Sequence, residues 1–282
     1  MWFNYHTHSN YCDGKASLQE ILMHAESMNL VSLGFSSHAP LPFECKWSMK
    51  KEKLDEYLLG IRSLKKSKNH LQVYAGLEVD YIPDVIGPND YSGVLDYTIG
   101  SIHFVDNYGR TRWEIDGVHH LFLEGLEKIF NNNIQNAISR YFELTREMIA
   151  NSCPTIIGHL DKIKMQNIDQ KLFKETDSWY QHEVKKMIDA IAKSDSIVEV
   201  NTRGIYQKKS STTYPSPWIL EILSKRKIPV TISSDAHHPD DLVNHFEDTA
   251  HLLKEIGFRK ISALIDGRWA SFEFNEYGIK VK

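Results

Sequence analysis

Short runs of apolar and β-branched residues alternate along this chain with longer stretches in which apolar positions recur every three or four residues. The short runs predict strands over residues 2–6, 31–36, 72–77, 97–102, 155–158, 196–201 and 229–233, with a further run at 269–274. The longer stretches predict helices over 18–28, 51–67, 121–130, 134–151, 178–193, 217–227 and 241–256. Ser17-Leu18-Gln19-Glu20 fits a capping box at the start of the first helix, with Ser17 at N-cap and Glu20 at N3. Pro239-Asp240-Asp241 places a proline and two carboxylates where the last helix would begin. The run Asn131-Asn132-Asn133 breaks a long helical region in two.

Strands alternating with helices predict a mainly parallel sheet, either a closed barrel or an open doubly wound sheet. The polar residues at the strand ends favour the barrel. His6 and His8 end the first strand, His38 follows the second, Glu78 ends the third and His103 the fourth. His159 follows the fifth, Asn201 and Arg203 the sixth, and Asp235 and His237 the seventh. In a parallel barrel all these C-terminal ends meet at one mouth, whereas an open sheet would spread them along a crevice. The chain shows no internal repeat, low-complexity tract or Gly/Ser-rich linker, so one domain over residues 1–282 is the simplest account.

Composition narrows the function classes. A net charge of -4 with only short basic runs argues against a nucleic-acid-binding surface. No stretch reaches the roughly 18 consecutive apolar residues of a membrane span, and the first residues lack the pattern of a secretory signal. The three cysteines, Cys12, Cys45 and Cys153, are scattered and lack C-x-x-C pairing, which predicts a reducing, cytoplasmic setting.

The fourteen histidines matter through their positions. His6 and His8 lie two apart on a strand, so both leave the same face, and Asp235 and His237 repeat that spacing. A lone H-x-H is more often a surface or capping pair, and His38, His103 or His159 singly reads as an ordinary buried histidine. Together they outweigh that reading, because His, Glu or Asp stands at six of seven strand ends. Charges clustered in a barrel mouth are costly unless paired or bound to metal. The residue types suit divalent Zn, Mn or Fe.

HTHSNYCDG, SSHAP, GLEVDY, GSIHF, GHLDKI and SSDAHHP occur in the order found in the PHP (polymerase and histidinol phosphatase) family, which the chain resembles over nearly its whole length. The resemblance is strongest to the histidinol-phosphate phosphatase branch, through EVNTRGIYQKKS, TYPSPWILEIL and IPVTISSDAHHPDDL. It implies an α/β fold, a distorted (β/α)7 barrel, with three divalent metal ions per chain at the C-terminal strand ends. By that resemblance His6, His8, Glu78 and Asp235 hold one metal, and Glu78 bridges to a second held by His103 and His159. Asp13, His38 and His237 hold the third, although some relatives place histidine near the Asp13 position. Cys12 has no family role and reads as a small packing residue.

Such a centre lowers the pKa of bound water and sets the resulting hydroxide in line with a phosphorus atom. The expected reaction is hydrolysis of L-histidinol phosphate to L-histidinol and phosphate in histidine biosynthesis. Glu78, Asp235 and Arg203 are its expected catalytic residues. The Arg203 guanidinium can grip phosphate. The branch often places that arginine a few residues later, where this chain has Lys208 and Lys209. Lys162 and Lys164 stand where some relatives have a second phosphate arginine. In FVDNYGRTRWEIDG, the carboxylates Asp106, Glu114 and Asp116 and the ring of Trp113 are available to the substrate's ammonium and imidazole, or alternatively to loop packing. The expected partner is a small phosphate ester, with neither nucleic acid nor membrane. Competing readings are a PHP hydrolase acting on nucleotides, oligonucleotide ends or sugar phosphates, a metal-dependent amidohydrolase, and a non-catalytic PHP module. Metal identity and oligomeric state are not legible, and His245, Asp161 or a metal-bound water could each protonate the leaving group.

Overall fold

A computed structural model describes residues 1–66 and 70–281. In chain order the strands are β1 (Phe3–Asn4), β2 (Ser32–Phe35), β3 (Gln72–Asp80), β4 (Tyr97–Ser101), β5 (Phe104–Tyr108), β6 (Thr111–Glu114), β7 (Ile156–Ile157), β8 (Ile197–Asn201), β9 (Val230–Ser233), β10 (Lys260–Ile265), β11 (Arg268–Asn275) and β12 (Gly278–Ile279). The α-helices are α1 (Leu18–Ser27), α2 (Leu54–Lys66), α3 (His119–Phe130), α4 (Ile134–Asn151), α5 (Ser178–Ile191), α6 (Arg203–Tyr206), α7 (Pro217–Lys225) and α8 (Phe246–Ile256). Among the described residues, no helix is long and apolar enough to cross a membrane.

Seven strands form one parallel sheet in the order β1-β2-β3-β4-β7-β8-β9. It curls until its edges meet just beyond β1 and β9. There Thr7 bridges Ala236 in parallel, with His8 N donating to Ala236 O at 2.8 Å and Ala236 N to His6 O at 3.0 Å. The expected seven-stranded barrel is therefore present and nearly closed. Its first strand is shorter than the predicted 2–6, because the chain leaves the ladder with β2 after Asn4.

Local signals act as physics requires. Glu20 N donates to Ser17 Oγ at 3.3 Å and Ser17 N to Glu20 Oε2 at 2.8 Å, completing the capping box of α1. Asn131 and Asn132 take left-handed φ of 50° and 62°, ending α3, and Asn133 caps α4 by accepting from Asn136 N at 3.0 Å.

Two expectations need correction, and one predicted strand is joined by an unpredicted partner. The predicted helix 241–256 is split into a 3₁₀ turn at Pro239–Asp241 and α8, because His245 adopts a φ of 59° between them. The segment after His103 is a hairpin, β5–β6, rather than a loop. The strand predicted at 269–274 is present as β11, and its antiparallel partner β10 is unforeseen. Ser67, the last residue of the predicted second helix, lies outside the described residues.

The end of the barrel opposite the histidines is filled by aromatic rings. The Tyr97 hydroxyl donates to Tyr5 O at 2.6 Å, and Tyr5 accepts from Leu264 N of β10 at 2.8 Å. Trp269 of β11 packs edge-on to both tyrosines. The Tyr97 ring lies across Gly76, where a Cβ would come within 2.4 Å of the ring. A Gly76→Ala substitution is therefore expected to destabilise the protein by about 1–3 kcal/mol, the usual range for overpacking. Urea unfolding would read this as a lower midpoint with unchanged slope.

Candidate metal centre

The closure at Thr7 and Ala236 also builds the site. With Thr7 held in the seam, His6 and His8 alternate around it and both rings enter the barrel mouth, 5.1 Å apart. Glu78, on β3, lies beneath them with 1% of its surface exposed. Its two oxygens face different partners. Oε2 lies 3.2 Å from His6 Nε2, 3.5 Å from His8 Nε2 and 3.0 Å from His38 Nδ1. Oε1 lies 2.9 Å from His159 Nε2 and 3.6 Å from His103 Nε2, and accepts from Ser101 Oγ at 2.6 Å. Asp235 Oδ1 stands 3.2 Å from His8 Nε2 and 3.7 Å from His6 Nε2. Asp13 Oδ2 is 3.2 Å from His237 Nε2, and its Oδ1 is 3.8 Å from His38 Nε2.

Asp235 takes a left-handed φ of 54°, a conformation uncommon outside glycine and adopted chiefly by Asn and Asp. Its carbonyl is held there by Arg203 Nη1 at 2.6 Å and the Tyr206 hydroxyl at 3.1 Å. Arg203 opens α6 immediately after β8, so the strand end delivers its guanidinium to the mouth.

The donor atoms that converge are unspent. His6 Nε2, His8 Nε2, His38 Nδ1, Glu78 Oε2 and Asp13 Oδ1 are buried and make no hydrogen bond. Buried polar atoms rarely go unsatisfied, and imidazole nitrogens mixed with carboxylates are the donor set of divalent transition metals. Four overlapping groups have their ligand atoms within 4.8 Å of one another: His8-Asp13-His38-His237, His6-His8-Asp235, His38-Asp80-His103 and Glu78-His103-His159. The residues present therefore fit divalent cations.

Two carboxylates not foreseen from sequence set the imidazoles. Glu199, on β8, accepts from His6 Nδ1 at 2.5 Å and from the His159 backbone N at 2.6 Å. Asp80 accepts from His103 Nδ1 at 3.0 Å. Each turns the far nitrogen of its ring toward the centre, the usual device for orienting a metal-binding histidine. Both left a trace: Glu199 is the one acid in the apolar strand IVEVN, and Asp80 follows Glu78 by one strand period.

Burial pushes the Glu78 carboxyl up, but His6, His38 and His103 outweigh it and hold it well below the usual range. Burial likewise opposes ionisation of Asp235, and His6 and Arg203 overcome it. His8 is driven well below its ordinary value by burial and by the neighbouring His237 and His38.

Beside this cluster lies a cavity of about 260 Å³, lined among others by Trp47, Glu114, Asp116, Lys162, Arg203 and Lys209. Lys162 Nζ sits 3.1 Å from Asp116 Oδ2 and 3.3 Å from His103 Nε2. Other candidates are placed elsewhere. Lys208 is exposed and does not line this cavity. Lys164 is buried against Asp161 at 3.0 Å, Thr213 O and Ser216 Oγ, and neither Lys164 nor Asp161 lines this cavity. Trp113 lies in the core, its indole N–H bonded to Phe122 O at 3.0 Å, and Asp106 is exposed on the hairpin. His245 pairs with Asp248 at the start of α8, outside the cavity lining. Cys12 belongs to none of the four groups. Its Sγ lies 3.6 Å from His8 Nδ1, and burial pushes the thiol up to about 11.

The PHP domain family model matches residues 4–203. The chain belongs to the PHP family. This PHP chain is 26% identical over 269 residues to the probable histidinol-phosphatase of Deinococcus radiodurans, covering 91% of this chain and 94% of that protein. Its fold matches the solved hisK structure from Listeria monocytogenes with a TM-score of 0.75 at 21% identity, over 87% of this chain and 99% of the other. It also matches histidinol phosphate phosphatase from Lactococcus lactis, solved with zinc, L-histidinol and phosphate, with a TM-score of 0.68 at 18% identity over 99% of each chain.

Burial acts to lower the His103 pKa, but the Asp80 carboxylate raises it further, to about 9 from an ordinary 6.5. A raised histidine contributes stability that is complete below pH 6.5 and lost as pH climbs through about 9. In the presence of a chelator this PHP chain should lose up to about 3 kcal/mol across that window through His103. A His103→Gln variant should show a flatter pH dependence, read by urea unfolding at each pH.

Proposed function

We propose that this PHP chain, a phosphoric monoester hydrolase, cleaves L-histidinol phosphate to L-histidinol and phosphate, acting as a single domain with three divalent metal ions. The observation that carries the reading is Glu78, whose two oxygens face separate sets of imidazoles as a bridging carboxylate would. His6, His8, Glu78 and Asp235 would hold one ion, Glu78, His103 and His159 a second, and Asp13, His38 and His237 a third. Bound there, such cations would bring the pKa of a water toward neutrality and neutralise charge on phosphoryl oxygens.

The chain's own residues supply the rest. Arg203 spends Nη1 on Asp235 O and His237 Nδ1, each at 2.6 Å, which fixes the guanidinium plane at the cavity wall. Its remaining N–H groups are then pre-oriented for phosphoryl oxygens at little cost in side-chain entropy. Lys162, held by Asp116, and Lys209 add positive charge along the same wall. The cavity of about 260 Å³ suits a small phosphomonoester better than an oligonucleotide end. The names of the Deinococcus radiodurans and Lactococcus lactis relatives support the substrate.

Metal-reconstituted protein should release phosphate from histidinol phosphate at least tenfold faster, in kcat/KM, than from unrelated phosphomonoesters. Equal turnover of both would overturn the substrate. Replacing His8 by Ala should lower bound metal, counted by elemental analysis, together with turnover. A Glu199→Gln change should weaken metal affinity by about 10–100-fold, the range for losing a carboxylate behind a ligating histidine, as measured by competition with a chelator.

A further inference from the structure

The candidate cavity is lined by charges of both signs. Arg203, Lys209 and Lys162 supply the positive groups, while Glu114 and Asp116 supply carboxylates beside Trp47. The two carboxylates are not equivalent. Asp116 is spent on Lys162 at 3.1 Å, whereas Glu114 makes no ion pair among the described residues. Glu114 closes the β5–β6 hairpin directly opposite Phe104, so both side chains project from the same hairpin face. Trp47 stacks on Phe104 at 5.6 Å with rings 16° apart, and its ring centre is 4.5 Å from that of His38. A Cβ on Gly117 would lie 3.8 Å from Glu114 Oε2, which places that oxygen at the cavity wall.

We infer that Glu114, beside Trp47 in the cavity lining, recognises a cationic group on the leaving alcohol and is thereby a specificity-determining residue. Burial and the charge of Asp116 both disfavour ionised Glu114, while His103 and the Trp47 side chain favour it. Glu114 is thus a half-buried cavity carboxylate without an ion pair among the described residues, and an incoming ammonium or imidazolium would remove the cost of that burial. An uncharged alcohol would leave that cost in place, so selection comes from the unpaired group as much as from the new contact. The hairpin is anchored for this role. Ile115 N donates to His103 O at 2.9 Å, and Gln166 Nε2 donates to Ile115 O at 2.8 Å and Gly117 O at 3.0 Å. The carboxylate is therefore tied to the same strand end that presents His103.

This inference rests on the proposed phosphatase reading, and its test separates the two. Metal-loaded wild type, Glu114→Gln and Trp47→Phe are compared by calorimetric binding of L-histidinol in the presence of inorganic phosphate. Turnover of histidinol phosphate and of phenyl phosphate, which has no cation, is measured in parallel. Glu114→Gln should raise the Kd for L-histidinol at least tenfold. Its loss of kcat/KM on histidinol phosphate should exceed its loss on phenyl phosphate by at least tenfold. Trp47→Phe should shift both readouts in the same direction by less, and melting temperatures identify any variant that fails to fold. An unchanged Kd in Glu114→Gln, parallel losses on the two esters, or no binding of L-histidinol by wild type would overturn the inference. Histidinol binding that depends on Glu114 without any turnover would instead uphold it and overturn the phosphatase reading.

Discussion

A carboxylate with 1% of its surface exposed and five imidazoles around it is the constraint on which the mouth of this barrel depends. Burying the Glu78 charge costs several kcal/mol unless partners surround it. His6 and His8 follow β1, and His38, His103 and His159 follow β2, β4 and β7, so no local segment could assemble all five. Closing the barrel brings them together, and their shared attraction to Glu78 favours that closure. The cluster also concentrates lone pairs that hydrogen bonds leave unused. A divalent cation relieves that arrangement more completely than protons can, because it satisfies several donor atoms at once.

Orientation is settled one layer further out. Glu199 and Asp80 hold the outer nitrogens of His6 and His103, and so decide which nitrogen of each ring faces inward. Arg203 does the same for Asp235 by gripping its carbonyl, which steadies a strained backbone position. These contacts lie on strands and strand ends, where packing leaves little rotamer freedom. The division of labour along the barrel axis follows from the same logic. Tyr5, Tyr97 and Trp269 fill the opposite end with apolar rings, so stability is supplied far from the polar mouth.

The fold was largely legible in the sequence because its strands are buried on both faces and its helices carry a clear 3.6-residue period. The capping box at Ser17 and the triple-asparagine break are local chemistry, and both formed as expected. Legibility failed where long-range pairing overrides local preference. Strand β10 exists through its antiparallel partner β11. The β5–β6 hairpin was hidden in a stretch rich in turn-forming and charged residues. His245 breaks the last helix through a left-handed backbone that nothing in its neighbours' propensities demands.

The sequence by itself determined which residue types stand at the strand ends and, through the strand period of two, that His6 and His8 share a face. Tertiary structure alone decided which charges are available for chemistry. Asp161 and Lys164 look in sequence like site residues, yet they neutralise each other in the packing. Asp116 is taken by Lys162, and Glu114, two residues away, forms no ion pair among the described residues. Whether a side chain is spent or available depends on what lies within about 4 Å of it, the reach of an ion pair. Those neighbours come from distant parts of the chain, which only the closed barrel brings into contact.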